Sequence, residues 1–306
     1  MQLSHNRRVV SAVFDEPNLV SAAGLVPVMK LASVVGLRSL ADEFLTVPTD
    51  KGANPGLKVS SLVAGMVAGA DSIDDMAVLR HGGMRNVFDS PYAPSTLGSF
   101  LRQFTFGHVR QLDAVACRVL TGLNAATPLL AGIGGEVLVD VDDTITEVHG
   151  HAKQGAGFGY SGVRGINALI STITVADRAP VIAASRLRKG STGSPRGAAR
   201  LVADTLATLR RLRGKGAGGR VLLRADSAFY AQPVVHAAQR AGAQVSITLR
   251  QNKRVKARSP PSPRMRGRRP STPTRSSTNR PGGGSPAPRS PKLPSPLSLP
   301  AAKTNR

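Results

Sequence analysis

The chain has 306 residues, with 41 Lys or Arg against 18 Asp or Glu, a formal net charge of +23. That excess goes beyond what solubility needs and favours a polyanionic partner, most simply nucleic acid. Residues 257–306 carry 11 of the cations and no acid, yet residues 1–256 still hold 30 cations against 18 acids, so the basic character is not confined to the end of the chain. A single cysteine, Cys117, excludes a disulfide framework and a cysteine-based zinc site. No run of 18 apolar residues suggests a membrane span, and the opening residues lack the apolar core of a signal peptide. A cytoplasmic location and no membrane partner are the expectations.

Residues 1–128 read as a helical region. Over Val20–Leu45 the apolar residues Val28, Leu31, Val35, Leu40 and Phe44 recur at helical spacing, with Pro27 suited to a first turn. Thr49–Gly56 reads as a loop, Val59–Ala70 as a second helix, and Ser72, Asp74 and Asp75 as the start of a short one ending before His81-Gly82-Gly83. Ser95 or Thr96 can cap a helix with Leu97, Phe100, Leu101 and Phe104 on one face. After a break near Thr105-Phe106-Gly107, Val109, Leu112, Val115, Val119 and Leu120 form the stripe of another helix. Arg102, Arg110 and Arg118 face either solvent or DNA in this reading, and an ordinary helical domain fits the pattern as well as a DNA-binding module.

From residue 129 to 256 the period changes. EVLVDVD (136–142), GINALISTITV (165–175) and PVIAAS (180–185) read as strands, with a hairpin at Asp177-Arg178. Gly197–Arg213 reads as a helix with Arg210, Arg211 and Arg213 in its last turn, where cations complement the dipole. A strand at Arg220–Ala225, a helix at Pro233–Ala241 and a strand at Gln244–Leu249 follow. Three strands, helix, strand, helix, strand gives an α/β fold with a mixed sheet.

Acids stand at the ends of two of these strands. Asp140, Asp142 and Asp143 end the first, and Asp226 ends the strand VLLRA. Metal-assisted phosphoryl transfer needs hard oxygen ligands on rigid elements, holding two divalent ions roughly 3.5–4 Å apart. One ion activates the attacking water or 3′-hydroxyl, and the other stabilises the leaving oxygen. Asp142 and Asp226 are the leading pair, with Asp140 the runner-up because the two-residue strand period gives it the face of Asp142. The plain alternative is that these acids only end strands and cap turns. Candidate phosphate contacts are Lys153, Arg164, Arg186, Arg188, Lys189, Arg196, Arg200 and Arg224. His149 and His151 are a thin metal signal, better read as loop residues.

These motifs carry a resemblance. VDVDDTITEVHGHAKQGAGFGYSGVRGINALI, SRLRKGS, RGAAR and VLLRADSAFY, together with APSTLGSFLRQFTFGHVRQLDA, resemble the DDE-type transposases of bacterial insertion sequences over roughly residues 5–255. The resemblance implies a ribonuclease-H-like catalytic domain behind a helical N-terminal region. It implies Mg²⁺ (or Mn²⁺), DNA carrying the element's terminal repeats as partner, further copies of the same chain in a homo-oligomer, and end cleavage followed by strand transfer. Asp142, ahead of Asp143-Thr144, takes the place of the first catalytic acid, and Asp226 that of the second.

The third acid has no carrier: no Asp or Glu follows Asp226. From Ala257 the composition turns to Pro, Arg and Ser, with twelve prolines among the last 50 residues, a stretch that cannot form a packed core. A shifted reading frame in a GC-rich gene explains this better than a dedicated basic tail. The expectation is a partial ribonuclease-H-like domain over 129–256, a disordered tail over 257–306, and a transposase inactive in this copy. The alternative is a non-enzymatic DNA-binding or regulatory protein derived from one.

Overall fold

A computed structural model describes residues 16–89, 91–150, 152–214, 216, 218–249, 253 and 257. The tail expected over 257–306 lies outside the described residues except for Ala257, as does His151. The described residues up to Ala257 belong to one compact unit.

The first part is helical: α1 (Leu25–Val34), α2 (Leu37–Phe44), α3 (Pro55–Val67), α4 (Pro94–Arg102) and α5 (Phe106–Ala126), with 3-10 turns at Asp50–Gly52, Asp74–Arg80 and Gly82–Asn86. The stretch expected to be helical over Val20–Leu45 is divided at Gly36, whose φ of +80° is the left-handed conformation that glycine adopts without steric cost. The cap expected at Ser95 or Thr96 is instead the backbone of Ala93, with Pro94 in the first turn, where its missing N–H costs nothing. Thr105 opens α5 as one half of a reciprocal cap with His108. Leu37, Ala41, Leu45, Val59, Phe100 and Val115 bury together in one cluster, and Leu25, Ala64, Leu79 and Met84 in another. Lys58 is 4 % exposed, and its ammonium donates to the carbonyls of Lys51 and Ala53 between the rings of Tyr92 and Phe100.

The second part is a mixed sheet of β1 (Val137–Glu147), β2 (Gly157–Phe158), β3 (Arg164–Val175), β4 (Val181–Lys189), β5 (Val221–Ala225) and β6 (Gln244–Ile247), with α6 (Ala198–Arg213) and α7 (Gln232–Arg240) between strands. Its order is β4-β3-β1-β5-β6, with the short β2 pairing the start of β3. The β1, β3 and β4 strands are antiparallel, while β5 and β6 run parallel to β1. A mixed sheet with helices between its later strands, behind a helical N-terminal region, is the α/β arrangement expected from the sequence. The alternation expected to stop at Asp142 continues through Thr144, Ile145 and Thr146 to Glu147, because β3 pairs β1 along its whole length.

Burial distinguishes the two faces of the sheet. Val137, Val139, Val141, Leu169, Ile173, Val175 and Leu223 pack with Leu201, Val202, Leu206 and Leu209 of α6 and with Val234, Ala237 and Ala238 of α7. Apart from the buried Ile166, the alternate residues of the other face, from Leu138, Ile170, Thr172 and Leu222 to Leu187, are only half-buried or exposed. On β4 the usual pattern is inverted: Ile182 and Leu187 are 61 % and 69 % exposed, while the arginines point inward. Arg110 of α5, Asp113 of α5, Arg186 of β4 and Asp204 of α6 form a partly buried ion cluster that ties the helical part to the sheet.

Candidate active site

The parallel pairing of β1 with β5 runs from Val137↔Val221 to Val141↔Ala225. Val141 and Ala225 lie on the α6 and α7 side. The next residues in each strand direction are Asp142 and Asp226, on the opposite, open face. Adjacent strands lie about 4.8 Å apart, so the two acids follow neighbouring positions at the ends of paired strands. Both residues are exposed. The Asp226 carboxylate accepts the Ala228 N–H at 2.9 Å, which closes a 3-10 turn over Ser227–Phe229, and Asp142 accepts the Asp143 N–H at 2.8 Å. Each keeps free oxygens towards solvent.

Asp140 shares this face and is directly paired with Arg224 across the strands. Arg224 donates from Nε at 2.7 Å and from Nη2 at 2.8 Å to the two oxygens of Asp140, a bidentate fork. This contact holds the guanidinium above the usual arginine range, against an opposing effect of burial. A hollow of about 190 Å³ lies among Asp140, Asp142, Asp143, Thr144, Ile170 and Thr172.

Asp143 points the other way, into the protein, where it meets Arg188. Their side chains are 6 % and 7 % exposed. Arg188 donates to Asp143 Oδ2 at 2.7 Å, to Asn167 Oδ1 from Nε at 2.7 Å, and to the carbonyls of Ser194 and Arg196. Asn167 Nδ2 and Ser194 Oγ complete the shell around the Asp143 carboxylate. Burial lowers the Arg188 pKa, and the charge of Asp143 opposes that shift. The network locks the peptide that follows Asp142 to β3 and to the loop after β4.

The basic residues fall into two groups. Lys153, Lys189, Arg196, Arg200 and Arg224 are exposed, with Arg200 reaching Asp204 only at 3.5 Å. Lys189 stands on the open face at the far end of β4, opposite Ile166. Arg186 and Arg188 are turned inward to acids, and Arg164 donates to the carbonyls of Val148 and Gly150. Among the residues expected to face solvent or DNA, Arg110 sits in the ion cluster and Arg118 stacks on the Phe44 ring at 3.8 Å. His149 is exposed beside Glu147, far more a loop residue than a ligand. The sequence reading missed Asp113, Asp204 and Asn167, the partners that take the arginines inward.

The donor chemistry suits a hard divalent cation. Asp142 and Asp226 offer carboxylate oxygens on rigid strand ends, and Mg²⁺ is commonly held by one or two carboxylates together with water. Among the described residues no group of three His, Cys, Asp or Glu side chains converges as a metal cluster, with Asp140 directed to Arg224 instead. The residues present therefore fit one ion held by two carboxylates.

Three solved structures share limited likeness. The Mos1 transposase paired-end complex with left transposon end is 12% identical, with 65% of this chain and 59% of that chain covered and a TM-score of 0.23. A pre-cleavage Mos1 transpososome gives 12%, 65%, 59% and 0.24, and the Mos1 strand transfer complex 14%, 65%, 58% and 0.21. The chain thus spans less than two thirds of each. No curated protein sequence matches the chain. The family model of the transposase DDE domain, group 1, matches residues 2–277, further towards the C-terminus than the motifs alone suggested. With nine-tenths of its length inside that match, the chain belongs to the DDE-domain transposases of group 1.

Proposed function

We propose that this chain is built for DNA transposition, with Asp142 and Asp226 as the carboxylate ligands for Mg²⁺ or Mn²⁺ at the ends of a mobile element. The observation that supports this reading is the β1–β5 register, whose last pair, Val141↔Ala225, stands one residue before Asp142 and Asp226, both exposed. A divalent ion bound there supplies Lewis-acid polarisation of a phosphate oxygen and a more acidic attacking water or 3′-hydroxyl. The residues of the chain do the rest. Asp142 and Asp226 hold the cation, while Asp143 and Arg188 fix the strand end from behind. The exposed cations Lys153, Lys189, Arg196, Arg200 and Arg224 take the DNA backbone, and Arg186 and Arg188 are spent on internal pairs.

Cleavage is absent or weak in this copy. The support is that no Asp or Glu follows Asp226 through Arg306, leaving the second ion of a two-metal reaction without its share of ligands. The change to Pro, Arg and Ser after Ala257 supports a shifted frame as the origin, while the family match, which runs on to residue 277, weighs against a break at that residue. Two experiments test this. The nucleotide sequence, translated in all three frames, is expected to show an acid-bearing helical segment in another frame from about codon 250; no such segment in any frame removes the frameshift. Mg²⁺-dependent cleavage of linear DNA carrying the element's own ends is expected to be undetectable or slow. Robust cleavage abolished by Asp226→Ala overturns the inactive reading. Tight metal-independent binding to those ends, without cleavage, favours a DNA-binding role derived from a transposase.

A further inference from the structure

Two observations on the open face belong together. First, Asp140 of β1 is paired with Arg224 of β5, Asp142 lies two residues further along β1, and Asp226 follows the last residue of β5, two residues beyond Arg224. Same-face neighbours along a strand are roughly 6.7 Å apart and adjacent strands about 4.8 Å, so three carboxylates and one guanidinium share a small patch. Second, among the described residues the Asp140 carboxylate is held by Arg224 alone. Its two oxygens accept the 2.7 Å and 2.8 Å bonds of that fork, and the side chains are 35 % and 46 % exposed. An exposed ion pair of this kind is weak, because water competes for both partners. The guanidinium fork fits a phosphate as well as it fits a carboxylate.

We propose that Asp140 is a reserve ligand of the Asp142–Asp226 cation site, kept away by Arg224 and released when a DNA phosphate takes over the guanidinium. This rests on the reading of Asp142 and Asp226 as metal ligands. No covalent step is involved. The Arg224 fork exchanges Asp140 for a phosphate, the freed carboxylate turns towards Asp142, and it replaces one water on the cation. Without DNA the patch carries three negative charges and one positive, and Arg224 offsets Asp140. With the phosphate bound, the charge of Asp140 is offset by the divalent cation instead. Metal and DNA therefore bind with positive coupling, and the coupling is reciprocal. Three carboxylates complete the protein's share for one ion, not for two, so this device strengthens metal binding without restoring the two-ion reaction.

The test is a Mn²⁺ titration of the full chain, with free Mn²⁺ followed by electron paramagnetic resonance and inner-sphere water counted by proton relaxation. Arg224→Gln mimics the released state. It is expected to tighten Mn²⁺ binding about tenfold, within the usual range of site–site coupling. The Arg224→Gln/Asp140→Asn pair is expected to lose that gain. Loss of the gain alone would also follow from charge, so the water count decides: Arg224→Gln should hold one fewer Mn²⁺-bound water than the double variant. A short DNA duplex added to the wild-type chain should produce the same loss of one water, and should not in Asp140→Asn. An equal water count in the single and double variants, or a gain that persists in the double variant, overturns the role of Asp140. Binding that Asp142→Asn leaves unchanged, or no binding at all, overturns the underlying site, and the reserve ligand with it. Circular dichroism confirms that each variant is folded, and the exposed positions of Asp140 and Arg224 make that the expected result.

Discussion

Replacing Arg188 by alanine should be among the most damaging single changes in the sheet. Its side chain is 7 % exposed and its partner Asp143 6 %, so solvent screens neither charge. Removal leaves the buried Asp143 carboxylate with Asn167 and Ser194 as its remaining partners among the described residues. It also strips a donor from Asn167 Oδ1 and from the carbonyls of Ser194 and Arg196. Breaking a buried pair on one side costs about 3–5 kcal/mol. With a urea slope of about 2 kcal/mol/M, the unfolding midpoint should fall by roughly 1.5–2.5 M. The apolar pair Asp143→Leu/Arg188→Met should recover most of that loss, because the damage comes from the stranded charge more than from the missing attraction. Urea melts followed by circular dichroism on the wild type, the single and the double variant decide it. A midpoint for Arg188→Ala within about 0.3 M of wild type would show that the pair is hydrated, and would refute the claim that it locks the peptide after Asp142.

Other outcomes follow from the same structure. Asp113 has its pKa raised, chiefly by burial, which outweighs the lowering by Arg186 and Arg110. An acid with a raised folded pKa contributes stability that is present below its unfolded value near 3.8 and is lost as pH rises through the folded value. Asp113→Asn should therefore gain stability relative to wild type as pH climbs through that window, read by thermal melts from pH 3 to 7; a difference independent of pH would contradict this. Gly190→Ala should cost more than about 2 kcal/mol, because a Cβ there would lie 2.0 Å from the Gly165 carbonyl oxygen and 2.5 Å from that of Gly157, both rigid backbone. A urea midpoint equal to wild type would show that the β2–β3–β4 corner can spread. Lys58→Met should cost about 2 kcal/mol, since the carbonyls of Lys51 and Ala53 lose their buried donor while the apolar stem is kept. An unchanged melting temperature would place those carbonyls in water.

The sheet was legible in the sequence because its strands alternate. Val137, Val139 and Val141 against Leu138, Asp140 and Asp142 give both the strand and its two faces, and the same parity links Arg224 to Asp226. The break at Gly36 was not legible, since its flanking apolar residues keep helical spacing on both sides. Nor was the fate of the β4 arginines. Arg186 meets Asp113 73 residues away and Asp204 18 residues away, and Arg188 meets Asp143 45 residues away; spacing along the chain carries none of these pairs. The exposed Leu187 between them was the one local sign that β4 turns its charged side inward. For the candidate site, the sequence supplied the acids and the strand ends, while the Asp140–Arg224 pairing became visible only through the β1–β5 register.

The most direct measurement is a crystal structure of the full chain soaked in Mn²⁺, with data collected for the anomalous signal of manganese. The account predicts a single strong peak on the open face of the sheet, within bonding distance of carboxylate oxygens from both Asp142 and Asp226. A peak elsewhere, or none between these two acids at saturating Mn²⁺, would contradict the assignment of this strand-end pair as the metal site.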